Sequence, residues 1–207
     1  LAVRRGMQLF QQGDVAGSVA EFDRAIELDP RQKAYLWQRG LSLYYLDRFE
    51  EAAEQFRLDV AANPNDTEES IWCFLCEAQL YGVEEARKRF LEVGLDRRPV
   101  MREAYALFKD GGDPEKLASN FSTSPGGELF YASLYAGLYY ESQRRMQTWQ
   151  NHILLLHARH LMDQGLVITW LPLQWFIVSA ATGLWRDRDL ETKMILIIVM
   201  DYVGASK

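Results

Sequence analysis

Apolar residues recur at helical spacing along most of the segment 1–142. The pattern is clearest in residues 34–64, where Trp37, Leu41 and Tyr44 share one face of a predicted first helix. A second apolar stripe, centred on Phe56, follows after a short polar turn. This segment therefore predicts two amphipathic helices that fold back on each other as a hairpin.

The landmarks of this hairpin recur at a fixed interval along the chain. The recurring positions are Gly6 and Gly40, Pro30 and Pro64, Phe22, Phe56 and Phe90, and Ser18, Ala52 and Ala86. A fixed period of about 34 residues is the signature of helical hairpins that stack on one another. The sequence therefore predicts an all-α protein, an α-solenoid of antiparallel hairpins, with small residues at helix crossings and phenylalanines between them.

The predicted array covers residues 1–142 and becomes irregular after its second unit. Its units occupy about 2–30, 34–64, 68–98 and, in part, 128–142. The third unit is degenerate, because Phe74 stands where the first two units have glycine, and its second helix is predicted from Val83 to Val93. Short helices are expected at Arg102 to Lys109 and Pro114 to Asn120, and a loop at Ser122 to Gly127, before a helix from Glu128 to Ser142.

These residues resemble the tetratricopeptide repeat (TPR), in which glycine lies early in the first helix and alanine, phenylalanine, alanine and proline follow. The matching residues are Gly6, Phe22, Ala25 and Pro30 in the first unit, and Gly40, Ala52, Phe56 and Pro64 in the second. Ser18 replaces the first alanine of unit one, and Asp59 replaces the later alanine of unit two.

Within the TPR superfamily, the order of units is similar to bacterial lipoproteins of the "new lipoprotein I" type and to related plant plastid TPR proteins. The resemblance implies a non-catalytic scaffold that docks another protein, and a plastid location. A cytoplasmic or membrane-associated location is the alternative.

In a TPR array the first helices of the hairpins line the concave side, and here that row is apolar and aromatic. Its members are Val3, Met7, Phe10, Trp37, Leu41, Tyr44, Ile71 and Leu75. Such a row predicts a groove for an amphipathic helix or an extended peptide, with aromatic anchors. The alternative is that these residues are core, or are covered by the chain's own C-terminal helices. The Lys and Asn residues of chaperone-binding TPR domains are absent, so binding of a chaperone tail is not predicted.

Residues 143–207 break the pattern. They carry a net charge of +2 against −8 for residues 1–142, and four of the six tryptophans. The stretch from Leu166 to Trp185 has 20 uncharged residues, the length of a membrane anchor. A frameshifted or retained-intron tail is the other interpretation, because permitted codons from Thr148, read one nucleotide earlier, can encode a helix like the one missing from unit four.

The overall net charge of −6 disfavours a nucleic-acid-binding surface, which needs clustered Lys and Arg. The partner expected is a protein or peptide, with a membrane contact only through residues 166–185; a homo-oligomer is also compatible with the sequence. No phosphate loop, nucleophile motif or zinc-protease motif occurs, so we expect no cofactor and no catalysis.

The remaining candidates for chemistry have simpler interpretations. Cys73 and Cys76 form a single C-x-x-C pair, which supplies two ligands where zinc needs about four, so they are predicted to be buried core thiols. His157 and His160 could bind a metal together only from a folded helix, and the interpretation of this segment as a frameshifted tail excludes such a helix. No metal site is therefore predicted. Paired carboxylates are expected at helix starts or on solvated faces: Glu50 and Glu51, Glu68 and Glu69, and Glu84 and Glu85.

Overall fold

The structure is a computed structural model that describes residues 1–124 and 126–143. Within these ranges the chain is all-α, as expected, with nine α-helices, one 3-10 helix and no β-strand. The α-helices are α1 (Ala2–Gln11), α2 (Val15–Leu28), α3 (Trp37–Tyr45), α4 (Phe49–Ala62), α5 (Thr67–Tyr81), α6 (Val83–Lys88), α7 (Pro99–Asp110), α8 (Pro114–Asn120) and α9 (Gly126–Ser142), and the 3-10 helix spans Pro30–Tyr35.

The first four helices form two hairpins with the same internal contact. Helix α1 packs against α2, and α3 packs against α4. Gly6 of α1 faces the ring of Phe22 in α2, and Gly40 of α3 faces the ring of Phe56 in α4. A Cβ added at these glycines would lie 2.8 Å and 2.6 Å from the nearest ring carbon, closer than real contacts allow. Glycine therefore permits the close approach of the two helices in both hairpins.

Polar contacts join one hairpin to the next. Helix α2 packs against α3, and the hydroxyl oxygens of Ser18 and Ser42 lie 2.9 Å apart within this buried contact. The Arg39 Nε donates a hydrogen bond of 2.7 Å to Asp23 Oδ1 across the same interface. Two small hydroxyl side chains leave room for the helix backbones to approach while still satisfying each other.

The turns follow from local side-chain chemistry. The carboxylate of Asp14 accepts a hydrogen bond from the backbone N–H of Gly17 and so caps the start of α2. Asp47, between α3 and α4, has a φ of 58°, a conformation that aspartate tolerates better than most residues. Gly82 has a φ of 85° and separates α5 from α6, which explains why the chain can reverse there without strain.

The third hairpin differs from its prediction. Helix α6 ends at Lys88, and the chain is not helical from Phe90 to Arg98, whereas a helix from Val83 to Val93 was expected. Phe74 lies where the first two hairpins have glycine, and its ring centroid is 5.8 Å from that of Phe90. Two rings now fill the space that one ring and a glycine occupy in the earlier hairpins, so a long second helix cannot approach α5 as closely.

The last three helices pack against one another, and two of them also pack against α5. Helix α7 begins at Pro99, three residues earlier than predicted, and α9 begins at Gly126 rather than Glu128, while α8 has the expected bounds. Helix α9 packs against α8, α7 and α5. Helix α5 is buried from Thr67 to Ala78, and α9 is buried from Phe130 to Tyr140. One continuous hydrophobic core runs from α1 to α9.

Several sequence predictions lie outside the described residues. One is the interpretation of residues 166–185 as a membrane anchor, and another is the interpretation of the chain after about residue 143 as a frameshifted tail. The histidines at positions 157 and 160 also lie outside the described residues. In the part of the chain that the structure describes, no helix has both the length and the apolar character needed to cross a bilayer.

Candidate partner-binding face

The eight residues predicted to form the groove lie on α1, α3 and α5, at equivalent positions of the three hairpins. Val3 and Trp37 are one repeat period apart, as are Met7 and Leu41. Five of the eight side chains are buried, and three are only half-buried. The buried ones are Phe10, Leu41, Tyr44, Ile71 and Leu75, and the half-buried ones are Val3, Met7 and Trp37. The accessible part of the face therefore lies at its α1–α3 end.

Helix α9 lies beside the α3 part of this face. Leu134 and Tyr135 line a narrow cleft together with Trp37 and Leu41. Farther along α3, the hydroxyl of Tyr44 donates a hydrogen bond of 3.0 Å to Glu141 Oε1. Leu41 and Tyr44 of α3 therefore belong to the hydrophobic core, and Trp37 packs against it.

The Tyr44 hydroxyl is held in its protonated form. Complete burial of the side chain is the main cause, and the negative charge of Glu141 adds to it, so the pKa of Tyr44 lies well above its ordinary value. A neutral hydroxyl can donate to the Glu141 carboxylate, which makes this contact a charge-assisted hydrogen bond between α3 and α9.

Two carboxylates of the same cleft are buried. Glu68 and Glu69 were expected at a helix start or on a solvated face, and they are only 6% and 3% exposed. Both lie in the first turn of α5, where the helix dipole favours negative charge. The Arg98 Nη1 also donates a hydrogen bond of 2.7 Å to Glu68 Oε1. The local pattern of two glutamates at a helix start is correct, but the burial of that start comes from helices distant in sequence.

Three further polar contacts hold α9, and sequence reasoning missed all of them. The Arg87 Nη2 donates to the Tyr139 hydroxyl, and the Tyr140 hydroxyl donates to Glu115 Oε1, each over 2.9 Å. The guanidinium of Arg98 stacks over the ring of Tyr131 with its Cζ 5.2 Å from the ring centroid. These partners are separated by 25 residues or more along the chain, so no local spacing could reveal them.

The two cysteines are both buried, and the structure describes them as free thiols. Cys73 lies against α4, with its Sγ 3.8 Å from the backbone oxygen of Ala53. Burial raises the pKa of Cys73 to about 12, and burial also raises the pKa of Cys76 well above its ordinary value. Thiols of this kind are poor nucleophiles, because the reactive species is the thiolate.

Among the described residues, no group of three or more His, Cys, Asp or Glu side chains is placed to hold a metal ion.

The accessible end of the face has a positive flank. Arg4, on α1 between Val3 and Met7, is exposed, and α1 contains no acidic residue. Arg5 is 67% exposed and lies 3.5 Å from Glu21 of α2. Met7 and Trp37 pack against the edge of the hydrophobic core, so their positions are set by the fold. This end therefore combines an apolar floor with a basic edge, in an array whose net charge is −8.

No protein-family model matches the sequence. The class that the described residues establish is an all-α protein.

Proposed function

We propose that this protein is a non-catalytic interaction scaffold, a short TPR-like array that holds a partner polypeptide. The observation that carries the proposal is the repeated contact between glycine and phenylalanine, Gly6 with Phe22 and Gly40 with Phe56. The same helix crossing occurs twice, one repeat period apart, and such a crossing is the structural unit of a TPR-like stack.

The stacking between hairpins supports an α-solenoid. The Ser18–Ser42 and Asp23–Arg39 contacts join the second helix of one hairpin to the first helix of the next. Helix α4 packs against α5 in the corresponding order. Arrays built by such neighbour contacts present extended surfaces, and binding of other proteins is their usual role.

The partner-binding face is the accessible end of the predicted groove. We define it as the α1–α3 face, formed by Val3, Met7 and Trp37 with Arg4 at its edge. Phe10, Leu41 and Tyr44 of the same row are buried and belong to the hydrophobic core. A half-buried tryptophan beside aliphatic side chains is the type of anchor that dominates binding energy at protein interfaces.

The chemistry of the described residues supports a binding role over catalysis. The two thiols are buried and their pKa values are raised, which opposes thiolate formation at neutral pH. The buried glutamate Glu68 forms an ion pair with Arg98 that joins α5 to the segment before α7. This structural role explains why Glu68 is buried.

Site-specific photo-cross-linking tests the proposal. A photoreactive phenylalanine analogue is placed at Val3 in one variant and at Ala20, an exposed position of α2, in a control variant. We expect a discrete cross-linked protein from position 3 and none from position 20 in extracts of the cells that make the protein. Equal cross-linking from both positions, or none from position 3, would contradict a partner-binding role for the α1–α3 face.

A further inference from the structure

The repeat symmetry of the array indicates what kind of partner the α1–α3 face accepts, and this inference rests on the proposed scaffold function. Trp37, Leu41 and Tyr44 of the second hairpin correspond to Val3, Met7 and Phe10 of the first, each pair being one repeat period apart. Helix α9 contributes to the surroundings of the second set, because it lines a cleft with Trp37 and Leu41 and accepts a hydrogen bond from Tyr44. The first set has the same arrangement on its helix, but Val3 and Met7 remain partly accessible.

We propose that the α1–α3 face binds an amphipathic helix of another polypeptide, which carries an aliphatic and aromatic face flanked by carboxylates. Helix α9 is the template for the apolar part. It presents Leu134 and Tyr135 to the cleft that contains Trp37 and Leu41. Because Trp37 belongs both to this cleft and to the α1–α3 face, a second helix beside α9 would extend an interface that the fold already uses.

The carboxylates follow from the charges along the face. Helix α9 places Glu141 against Tyr44, so a carboxylate is part of the contact that covers the second hairpin. At the first hairpin, Phe10 replaces that tyrosine, and the exposed Arg4 is one turn of helix from Met7. A carboxylate on a docked helix can pair with Arg4 there. Charges beyond about 8 Å are screened at physiological salt, so Arg4 and Arg5 act locally despite the net negative array.

Two designed peptides test this inference with the full-length chain. Both are helical 18-residue peptides that copy the spacing of Leu134, Tyr135 and Leu138 on one face. One carries glutamates along the flanks of that face, and the other carries lysines at the same positions. Fluorescence anisotropy measures the Kd of each peptide at physiological salt.

We expect the glutamate peptide to bind at least five-fold more tightly than the lysine peptide. Arg4→Glu should reverse that preference, because it replaces the positive edge by a negative one. The double variant Val3→Ala with Met7→Ala should weaken binding of the glutamate peptide at least ten-fold, since it removes the apolar floor. Arg24→Glu, an equal charge change at an exposed position of α2, should alter neither Kd. Circular dichroism of each variant checks that the helices remain folded.

Equal affinity for the two peptides, no detectable binding of either, or binding that does not respond to Arg4→Glu would overturn the inference. These failures are distinguishable from failure of the scaffold function. A discrete cross-link from position 3 without peptide binding would support a partner at this face. It would also show that the partner does not bind through an acidic amphipathic helix. Absence of both signals would reject both proposals.

Discussion

Gly40 lies directly against the ring of Phe56, so close that a methyl group in its place would come within 2.6 Å of the ring. The same relationship holds between Gly6 and Phe22 in the preceding hairpin. In the third hairpin Phe74 takes the place of glycine, and its ring contacts Phe90 instead. The change from glycine to phenylalanine at this one position accompanies a change from a 14-residue second helix to one of six residues.

Gly40→Ala tests whether this contact limits the packing of the hairpin. The added methyl group forces the Phe56 ring to move, and overpacking of this kind costs about 1–3 kcal/mol. Alanine recovers about 1 kcal/mol through its better helix propensity. We therefore expect a net loss of unfolding free energy, measured by urea denaturation.

The double variant Gly40→Ala with Phe56→Leu is the internal control. A smaller side chain at position 56 relieves the clash, so the two changes together should cost less than the sum of the single changes. If the losses of unfolding free energy caused by the two single changes add up to the loss in the double variant, the Phe56 ring does not restrict the size of the residue at position 40.

Tyr44→Phe tests the hydrogen bond between α3 and α9. The variant keeps the buried ring and removes the donor to Glu141. Because the acceptor is charged, we expect a loss of about 1.5–3 kcal/mol in unfolding free energy. Tyr35→Phe, a change at an exposed tyrosine, is the matched control and should have almost no effect. An equal effect of both variants would remove the hydrogen bond as the explanation.

Tyr44→Ala should be much more damaging, at about 3–5 kcal/mol, because it also empties a buried site. Loss of partner binding in that variant would therefore report unfolding rather than contact with a partner. Substitutions at Val3 and Met7 are better probes of the α1–α3 face, since these side chains are only half-buried.

Arg98→Lys tests the ion-pair network that joins α5 to the segment before α7. Arg98 donates to Glu68 Oε1 over 2.7 Å and to Asp96 Oδ2 over 2.8 Å, and lysine cannot form both bonds with the same geometry. We expect a loss of about 1.5–3 kcal/mol by chemical denaturation. Arg97→Lys, at the exposed neighbouring residue, should be neutral.

The pH dependence gives a second measurement on the same network. Burial raises the pKa of Asp96, but hydrogen bonds from Arg98 outweigh burial and hold the pKa below its ordinary value of 3.8. This contribution to stability is present above the unfolded-state pKa and is lost as the pH falls through the lower folded-state pKa. Stability of the natural protein should fall in that acid range, and Arg98→Lys should reduce the fall. An identical acid profile in the variant would count against the pair.

The cysteines provide a test of the core at alkaline pH. Burial raises the pKa of Cys73 from its ordinary value of 9.0 to about 12. A thiol reagent at pH 8 should therefore modify neither cysteine in the folded protein and both in denaturant. Rapid labelling of the folded protein would place the thiols at the surface.

The same shift in pKa links stability to pH. Below about pH 9 the Cys73 thiol keeps its proton in both the folded and the unfolded chain, so its full contribution to the stability of the folded state is present. Stability is lost as the pH rises from about 9 toward 12, because only the unfolded chain releases its proton easily. Cys73→Ala should weaken this alkaline dependence.

The helices and their order were predictable because they depend on local patterns. Apolar spacing, glycine and proline indicated α8 with its observed bounds. The end of α6 was predicted five residues too late, because the periodic residues continue to Phe90 while the ring of Phe74 prevents the helix from following. Helical spacing reports which residues could face the core, and only the volume available there decides how far the helix runs.

The repeat period aligns the members of the predicted row, but it does not tell which of them are accessible. The alignment of Val3 with Trp37 and of Met7 with Leu41 follows from the repeat period alone. That Tyr44 lies under α9 depends on a hydrogen bond to a residue 97 positions away. The burial of Glu68 depends on Arg98, 30 positions away.

The sequence by itself determined an all-α chain and the residues that face one another within each of the first two hairpins, because these depend on contacts repeated at short range. Only the tertiary structure decided which part of the apolar row remains accessible. Helix α9 places Leu134 and Tyr135 in a cleft with Trp37, and Glu141 beside Tyr44. Val3 and Met7 are half-buried. That outcome depends on contacts between segments far apart in the chain. Forming such contacts lowers the chain entropy, and the burial of apolar surface together with the pairing of polar groups at the edge of that surface offsets this loss.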